Sequence, residues 1–299
     1  MRLVVTGRTG QVVSALTEQA GVHQLEVLPV GRPALDLAHP AGIEAALAAL
    51  RPDVIVNAAA YTAVDDAERD DETAHLINGA GAGVVARAAV TLNVPVIQIS
   101  TDYVFDGTAP GRYVETDPVA PINAYGRSKL AGERAVAAAT VNHAILRTSW
   151  VYAAEGKNFV RTMLRLAETR EGLTVVGDQQ GAPSFAPDIA DAIIAVARNL
   201  LSRPDPALRG IFHMTGAGET TWAGFAEEIF RQSRARGGPS ATVTPIPTSA
   251  YPTPARRPAN SRLDCTRLQT VHGVALPDWR DGLERCMDRL IGPRREERA

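Results

Sequence analysis

Short apolar runs and longer stretches of helical spacing alternate along the first half of the chain. Residues 2–6, 25–30, 54–56, 96–99 and 144–147 are runs rich in β-branched side chains and too short for helices, so each predicts a buried strand. Between them, about 11–20, 41–50, 63–68 and 72–91, and the segment leading through Leu130-Ala131-Gly132-Glu133, have helical patterns. Strands alternating with helices predict a parallel sheet with right-handed crossovers. The pattern loosens after 150. Helices are expected near 159–169, 187–201, 222–234 and 279–290, with strands at 173–176 and 211–214. Residues 178–184 read as a loop, and the Pro-rich 242–264 as irregular. A charged tail, 294–298, closes the chain.

Ligands of such sheets bind outside the carboxyl ends of the strands. Gly10, Ala60, Thr101 and Thr148-Ser149-Trp150 all fall there. Gly7-Arg8-Thr9-Gly10-Gln11-Val12-Val13 joins the first strand to a helix, the context a dinucleotide fingerprint requires. Gly7 permits the tight turn. Gly10 lets the backbone approach a pyrophosphate at the positive end of the helix. Val13 stands where a third glycine is usual, and a plain strand–helix turn is the other reading. The small residues of Asn57-Ala58-Ala59-Ala60-Tyr61 leave room for a cofactor. The fold class is therefore α/β: a Rossmann-type doubly wound parallel sheet over 1–150, an NAD(P)-binding domain. A smaller, less regular C-terminal domain, 151–299, is expected to bind substrate, with some segments returning to the first. NAD-preferring sites place a carboxylate after the second strand. Here Arg32 takes that neighbourhood, suiting a 2′-phosphate or standing as a solvated loop residue.

Tyr125 and Lys129, four apart, share one face of a helix. A phenol titrates near pH 10, too high for easy proton exchange at neutral pH. A nearby ammonium favours the phenolate and lowers that value, and a hydroxyl such as Thr101 can orient the reacting oxygen. These three residues are expected to surround a carbonyl or alcohol and move a proton beside a hydride transfer. A bare Tyr-x-x-x-Lys also describes a surface Tyr next to a solvated Lys. Composition favours the first reading: the chain has only two lysines, Lys129 and Lys157, and arginine fills every other basic position. A Lys kept in such a chain suggests a job guanidinium does badly. Tyr251-Pro252-Thr253-Pro254-Ala255-Arg256-Arg257-Pro258 is either a stiff spacer or a loop folded over a site, offering Arg256 and Arg257 to an anion. With one helix left after it, the folded-over loop is expected.

Charge and cysteines narrow the class. A net charge of −2 gives no basic footprint for nucleic acid. No apolar run approaches the roughly 18 residues that span a membrane. Met1-Arg2 leads straight into a strand, without a secretory leader. Cys265 and Cys286 are too few for a zinc site or a disulfide framework. The expectation is a cytoplasmic protein with no metal site and no nucleic-acid or membrane partner.

The motifs Gly7-Arg8-Thr9-Gly10-Gln11, Val56-Asn57-Ala58-Ala59-Ala60-Tyr61-Thr62, Ser100-Thr101-Asp102-Tyr103-Val104-Phe105, Tyr125-Gly126-Arg127-Ser128-Lys129-Leu130, Arg147-Thr148-Ser149-Trp150-Val151-Tyr152 and Tyr251 through Asn260-Ser261-Arg262-Leu263 carry a resemblance. Over nearly its whole length the chain resembles the extended short-chain dehydrogenases/reductases, in the branch that reduces dTDP-linked 4-keto-6-deoxy sugars. The resemblance implies Thr101, Tyr125 and Lys129 as catalytic residues. It implies that Gly10, Gln11, Val12, Asp36, Leu37, Ala60, Tyr61 and Thr62 line the cofactor, NADPH with NADH possible. Gly7 and Arg32, from the turn and the second strand, and Tyr125 and Lys129, the latter reaching the nicotinamide ribose, are expected to meet it as well. Thr101, Asp102, Tyr103, Trp150 and Asn158 would touch the nucleotide sugar, with Arg256 and Arg257 near its diphosphate. The implied reaction reduces C4 of dTDP-4-dehydro-L-rhamnose, giving dTDP-L-rhamnose. Some members pair through magnesium held by a glutamate after the glycine turn. Ser14-Ala15 occupies that place, so a monomer or weak homodimer is expected. A dehydratase would carry Glu after Asp102, where Tyr103 stands. A reductase of another NDP-4-keto-6-deoxy sugar, or a non-catalytic nucleotide-binding subunit, are the alternatives; the intact Thr101, Tyr125 and Lys129 speak against the second.

Overall fold

The computed structural model describes residues 1–294; the end of the charged tail, 295–299, lies outside them. In the first half run β1 (Arg2–Thr6), α1 (Gln11–Gln19), β2 (Glu26–Val30), α2 (Ile43–Ala49), β3 (Val54–Asn57), α3 (Val64–Ala67), α4 (Asp71–His75), α5 (Ala82–Thr91), β4 (Val96–Thr101), α6 (Ala124–Ala139) and β5 (His143–Thr148). The second half holds β6 (Val151–Tyr152), α7 (Phe159–Ala167), β7 (Gly172–Val176), β8 (Gln180–Gly181), β9 (Ser184–Phe185), α8 (Ala186–Ser202), β10 (Gly210–His213), β11 (Thr220–Thr221), α9 (Trp222–Arg234), β12 (Thr242–Ile246), α10 (Thr266–His272) and α11 (Trp279–Leu290).

Six strands form one parallel sheet in the order β10-β5-β4-β3-β1-β2. Its apolar side chains alternate between two faces, as a strand dictates. Leu3, Val5, Val54, Val56 and Ile97 pack with α1 and α8, whereas Val4, Ile55 and Val96 pack with α2 and α5. Both faces are covered, so these strands read as unbroken apolar runs. Further clusters lie elsewhere: residues of α7, β7, α9 and α11 pack with Tyr152 and Phe185.

Four local features differ from the sequence expectation. The Pro-rich stretch after 241 opens with a strand, β12, paired in parallel with β7. Pro245 is tolerated because this sheet has two strands, and an edge residue needs no second ladder partner. The loop around 178–184 contributes two short strands, β8 and β9, paired with β11 and β6. α10 lies in a stretch with no clear helical signal. Finally, the helix expected over 72–91 is interrupted by a π-helical segment, Leu76–Gly81. α6 crosses so closely there that a Cβ on Gly132 would stand 2.1 Å from the Asn78 carbonyl oxygen.

Candidate active site

The carboxyl end of β1 opens into the glycine turn. Gly7 has φ +102°, a conformation glycine tolerates without strain. A Cβ there would lie 3.2 Å from a methyl of Val13, itself buried in the core. Val13 thus packs on the turn where a third glycine is usual. Gly10 caps α1 without a side-chain acceptor, leaving the first backbone N–H groups open toward an anion. Small side chains at Ala58, Ala59 and Ala60 border the same edge. Exposed Arg8 and Arg32 flank Gly31 at the end of β2, the Arg8 guanidinium reaching the Arg32 carbonyl at 3.5 Å. Asp36 accepts from the Ala38 amide at 3.0 Å and from His39, which hold its carboxyl below the usual range. Leu37 is buried in the core, so it offers a cofactor only backbone. The donor set fits a nicotinamide dinucleotide: an open helix N-terminus for its pyrophosphate, small residues for close approach, and basic groups where a ribose would end.

Asn78, which sequence reasoning passed over, ties this edge to α6. Its amide brackets Tyr61, accepting from the Tyr61 N–H at 2.8 Å and donating to its carbonyl at 3.0 Å. It also donates to Ser128 Oγ at 2.9 Å, and Ser128 donates to the Tyr125 carbonyl at 2.8 Å. The stretch Ala60-Tyr61-Thr62 is thereby fixed against the helix that carries Tyr125 and Lys129.

Thr101 ends β4. Its hydroxyl donates to Asp102 Oδ1 at 2.9 Å, while Asp102 Oδ2 is buried with no hydrogen-bond partner. Burial raises the Asp102 carboxyl to about 6, with the Ser261 and Thr101 hydroxyls pulling the other way. Tyr125 sits in the first turn of α6, whose N-cap Asn123 accepts from the Gly126 N–H at 2.7 Å. Gly126 itself is obligatory: a Cβ there would lie 2.2 Å from the Tyr103 carbonyl oxygen. The Tyr103 and Tyr125 rings meet edge to face at 5.9 Å. Lys129 is buried and donates to the Ile99 carbonyl at 2.7 Å. Behind it, Glu133 takes a bidentate pair from Arg147, at 2.9 and 2.7 Å, and a hydrogen bond from Ser100 at 2.6 Å.

Electrostatics correct one expectation. Burial, reinforced by Asp102, pushes the Tyr125 phenol above its ordinary value, and only the Thr101 hydroxyl opposes this. Lys129 is not among the groups lowering it. Burial brings the Lys129 ammonium down to about 8, against the attraction of Glu133. The pair is therefore a protonated phenol, a weaker acid than an ordinary one until charge builds on an oxygen facing it, beside an easily discharged ammonium.

Trp150 holds a left-handed backbone, φ +49°, uncommon for a bulky residue. The Ser184 N–H anchors its carbonyl at 3.2 Å. Its indole stacks on Trp222 with centroids 3.6 Å apart, and a Cβ on Gly181 would collide with it at 2.6 Å. Trp222 also lines a cavity of about 580 Å³ with Phe159, Gln179, Tyr251, Thr253 and Arg257. Trp222 was passed over because at the head of an amphipathic helix it reads as core.

The two loop arginines differ. Arg257 borders the cavity and makes a two-pronged pair with Asp65, at 2.8 and 3.1 Å. Arg256 is exposed and makes no ion pair among the described residues. Asn158 is occupied locally: it caps α7 through Arg161 N and donates to Ala153 O and to Gln11 Oε1 at 2.8 and 3.0 Å. That links the glycine turn to α7 and leaves the Asn158 amide little to offer a substrate. No group of three or more His, Cys, Asp or Glu side chains among the described residues is arranged to hold a metal ion. No helix among them is long and apolar enough to cross a membrane.

A glycine turn at β1 with Thr, Tyr and Lys at the ends of β4 and α6 defines a nicotinamide-dependent oxidoreductase of the extended short-chain type. The chain belongs to the family described as the RmlD substrate binding domain, whose model matches residues 1–291. It is 49% identical to the dTDP-4-dehydrorhamnose reductase of Sinorhizobium fredii, covering 97% of this chain and 98% of that protein. A crystal structure of a dTDP-4-dehydrorhamnose reductase from Clostridium acetobutylicum superposes with a TM-score of 0.89 at 36% identity, covering 96% of this chain and 99% of that one. The Bacillus anthracis enzyme of the same name, solved in complex with NADP, gives 0.88 at 35% identity, covering 95% and 98%.

Proposed function

We infer that the protein reduces the C4 keto group of dTDP-4-dehydro-L-rhamnose to give dTDP-L-rhamnose, with NADPH as the reductant. The observation that carries this reading is the half-buried Tyr125, with the Thr101 hydroxyl acting on its phenol and Lys129 one turn along the same helix, tied through Ser128 and Asn78 to the Ala60-Tyr61-Thr62 edge. When bound, the reduced nicotinamide supplies the hydride for C4. Tyr125 gives its proton to the C4 oxygen as negative charge builds there, and the Thr101 hydroxyl steadies the same oxygen. Lys129 keeps positive charge close to it. Trp150 offers a flat apolar wall to the hexose, and the cavity beyond Trp222 receives the nucleotide. Incubation with dTDP-4-dehydro-L-rhamnose and NADPH, followed by the absorbance of the reduced cofactor, tests the reading. Consumption that requires the sugar supports it; none at any substrate level contradicts it.

Exposed Arg32 after β2, with Arg8 reaching its carbonyl at 3.5 Å, supports a contact with a 2′-phosphate. Arg32→Ala is expected to raise the NADPH KM much more than the NADH KM. Equal effects on both would show that Arg32 does not meet the 2′-phosphate.

The diphosphate of the substrate needs cationic partners; Arg170 and Arg257 border the cavity, and of the two loop arginines Arg257 is the one that does. With Asp65 holding its guanidinium, little side-chain freedom is left to lose on binding. Arg257→Ala should weaken dTDP binding by about 1.5–3 kcal/mol, the range for hydrogen bonds to charged groups; Arg256→Ala should do less. Calorimetric titration with dTDP checks this. If both variants bind as the parent does, the loop is structural.

A further inference from the structure

Two rows of the sheet break its apolar rule. One is Ser100, Arg147 and His213, near Glu133. In the second, Thr6, Asn57 and Gln98 lie directly opposite one another on β1, β3 and β4. All three are almost fully buried, at 0%, 2% and 2% exposure. The preceding row, Val5, Val56 and Ile97, is apolar, as a sheet covered on both faces calls for. Buried polar groups in such a place need a reason.

Their hydrogen bonds run in one direction. The Ala59 N–H donates to Thr6 Oγ1 at 3.0 Å, so the hydroxyl proton is free to go onward, to Asn57 Oδ1 at 2.6 Å. Asn57 must then present its amide N–H, and it donates to Gln98 Oε1 at 2.7 Å. Gln98 turns its own N–H to the Ile99 carbonyl at 2.9 Å, the oxygen to which Lys129 Nζ donates at 2.7 Å. A backbone N–H can only donate, so the orientation of each amide follows from the one before it.

We propose that this row is a positioning device for Lys129: it fixes the amide beside the Ile99 carbonyl and so sets where the ammonium rests. The proposal rests on Lys129 being the ammonium of the reaction, as inferred above. Two donors share one oxygen, and the positive end of the Gln98 amide faces the same oxygen as the ammonium. The row therefore also makes Lys129 easier to discharge. Of the other titratable or charged groups, Glu133 of its own helix acts on the ammonium. Tyr125, Arg127 and Arg134 share that helix, His143 and Arg147 lie on β5, Asp102 and Tyr103 follow β4, and Asp65, Asp66, Asp71, Glu72, His75 and Arg87 lie on α3, α4 and α5, which pack against it. None is altered by changes in the row.

Gln98→Met removes the last donor. Asn57→Leu with Gln98→Met removes the pair without leaving one amide unmatched. In both, turnover should fall about tenfold or more, as small misplacements of a reacting group do. The alkaline limb of the turnover profile should move up by about half a pH unit, through loss of the neighbouring dipole. Thr6→Val, which preserves shape, should shift the limb in the same direction, and Thr6→Ser should restore it. Wild-type turnover and limb in the double variant, or in Thr6→Val, would overturn the proposal and leave the row as sheet packing. Lys129→Ala separates the two layers of inference. If it is inactive while the row variants behave as wild type, the row proposal alone fails. If it retains turnover, the reading of Lys129 fails first.

Discussion

Tyr125→Phe is expected to keep the fold and the affinity for NADPH and to turn over about 10²- to 10⁴-fold more slowly, the contribution of a positioned general acid. The substitution removes one hydroxyl and leaves the ring against Tyr103. The backbone around it is held independently, by the Asn123 cap and by Ser128 on the Tyr125 carbonyl. Phenylalanine therefore has no structural reason to move the helix. What is lost is a proton donor that, like any phenol, is protonated at neutral pH, with burial shifting it further the same way. A reducing enzyme needs that form, since a phenolate has no proton to give to the C4 oxygen. Steady-state kinetics with binding of NADPH measured separately checks this. Turnover within a few-fold of the parent would remove Tyr125 from the proton-donor role.

Lys129→Arg is expected to lower turnover about 10²-fold, although charge is conserved. Lys129 fits between the Ile99 carbonyl and a Glu133 already committed to Arg147. A planar guanidinium is wider, and a shift of the charge by about 1 Å can cost that much. The pH profile adds a second test. Burial makes the ammonium lose its proton near pH 8, so wild-type turnover should fall as pH rises through about 8. Unfolding is not the cause of that limb. Between about 8 and the ordinary lysine value of 10.5 the unfolded chain binds the extra proton, so this group's contribution to stability rises with pH there. Arginine does not titrate in this range, and the residual rate of the variant should show no such limb. An unchanged rate and profile would make Lys129 a structural charge.

How much of this was legible in the sequence depends on how local each signal is. β1 and α9 run over the residues their apolar spacing gave, because both are strongly patterned and end at turn chemistry. β12 was missed since Pro245 argues against a strand unless it lies at an edge. The π-helical turn was missed because it arises from the approach of α6, nearly 50 residues later. The same holds for the site. Thr101, Tyr125 and Lys129 are recognisable because their chemistry and spacing lie in one stretch. The Asp65 partner of Arg257 is 192 residues away and the Ser128 partner of Asn78 is 50 away, so no local pattern pairs them. The direction of the Tyr125 shift was misjudged for a related reason. The sequence puts Lys129 one turn away, but burial and Asp102 act more strongly on the phenol than an ammonium turned toward the Ile99 carbonyl.

The most direct measurement is the fate of the transferred hydrogen. With dTDP-4-dehydro-L-rhamnose and NADPH deuterated at the transferred position, the product should be dTDP-L-rhamnose carrying one deuterium at C4, read by NMR. Unlabelled sugar, label at another carbon, or the C4 epimer as the main product would contradict the assigned reaction.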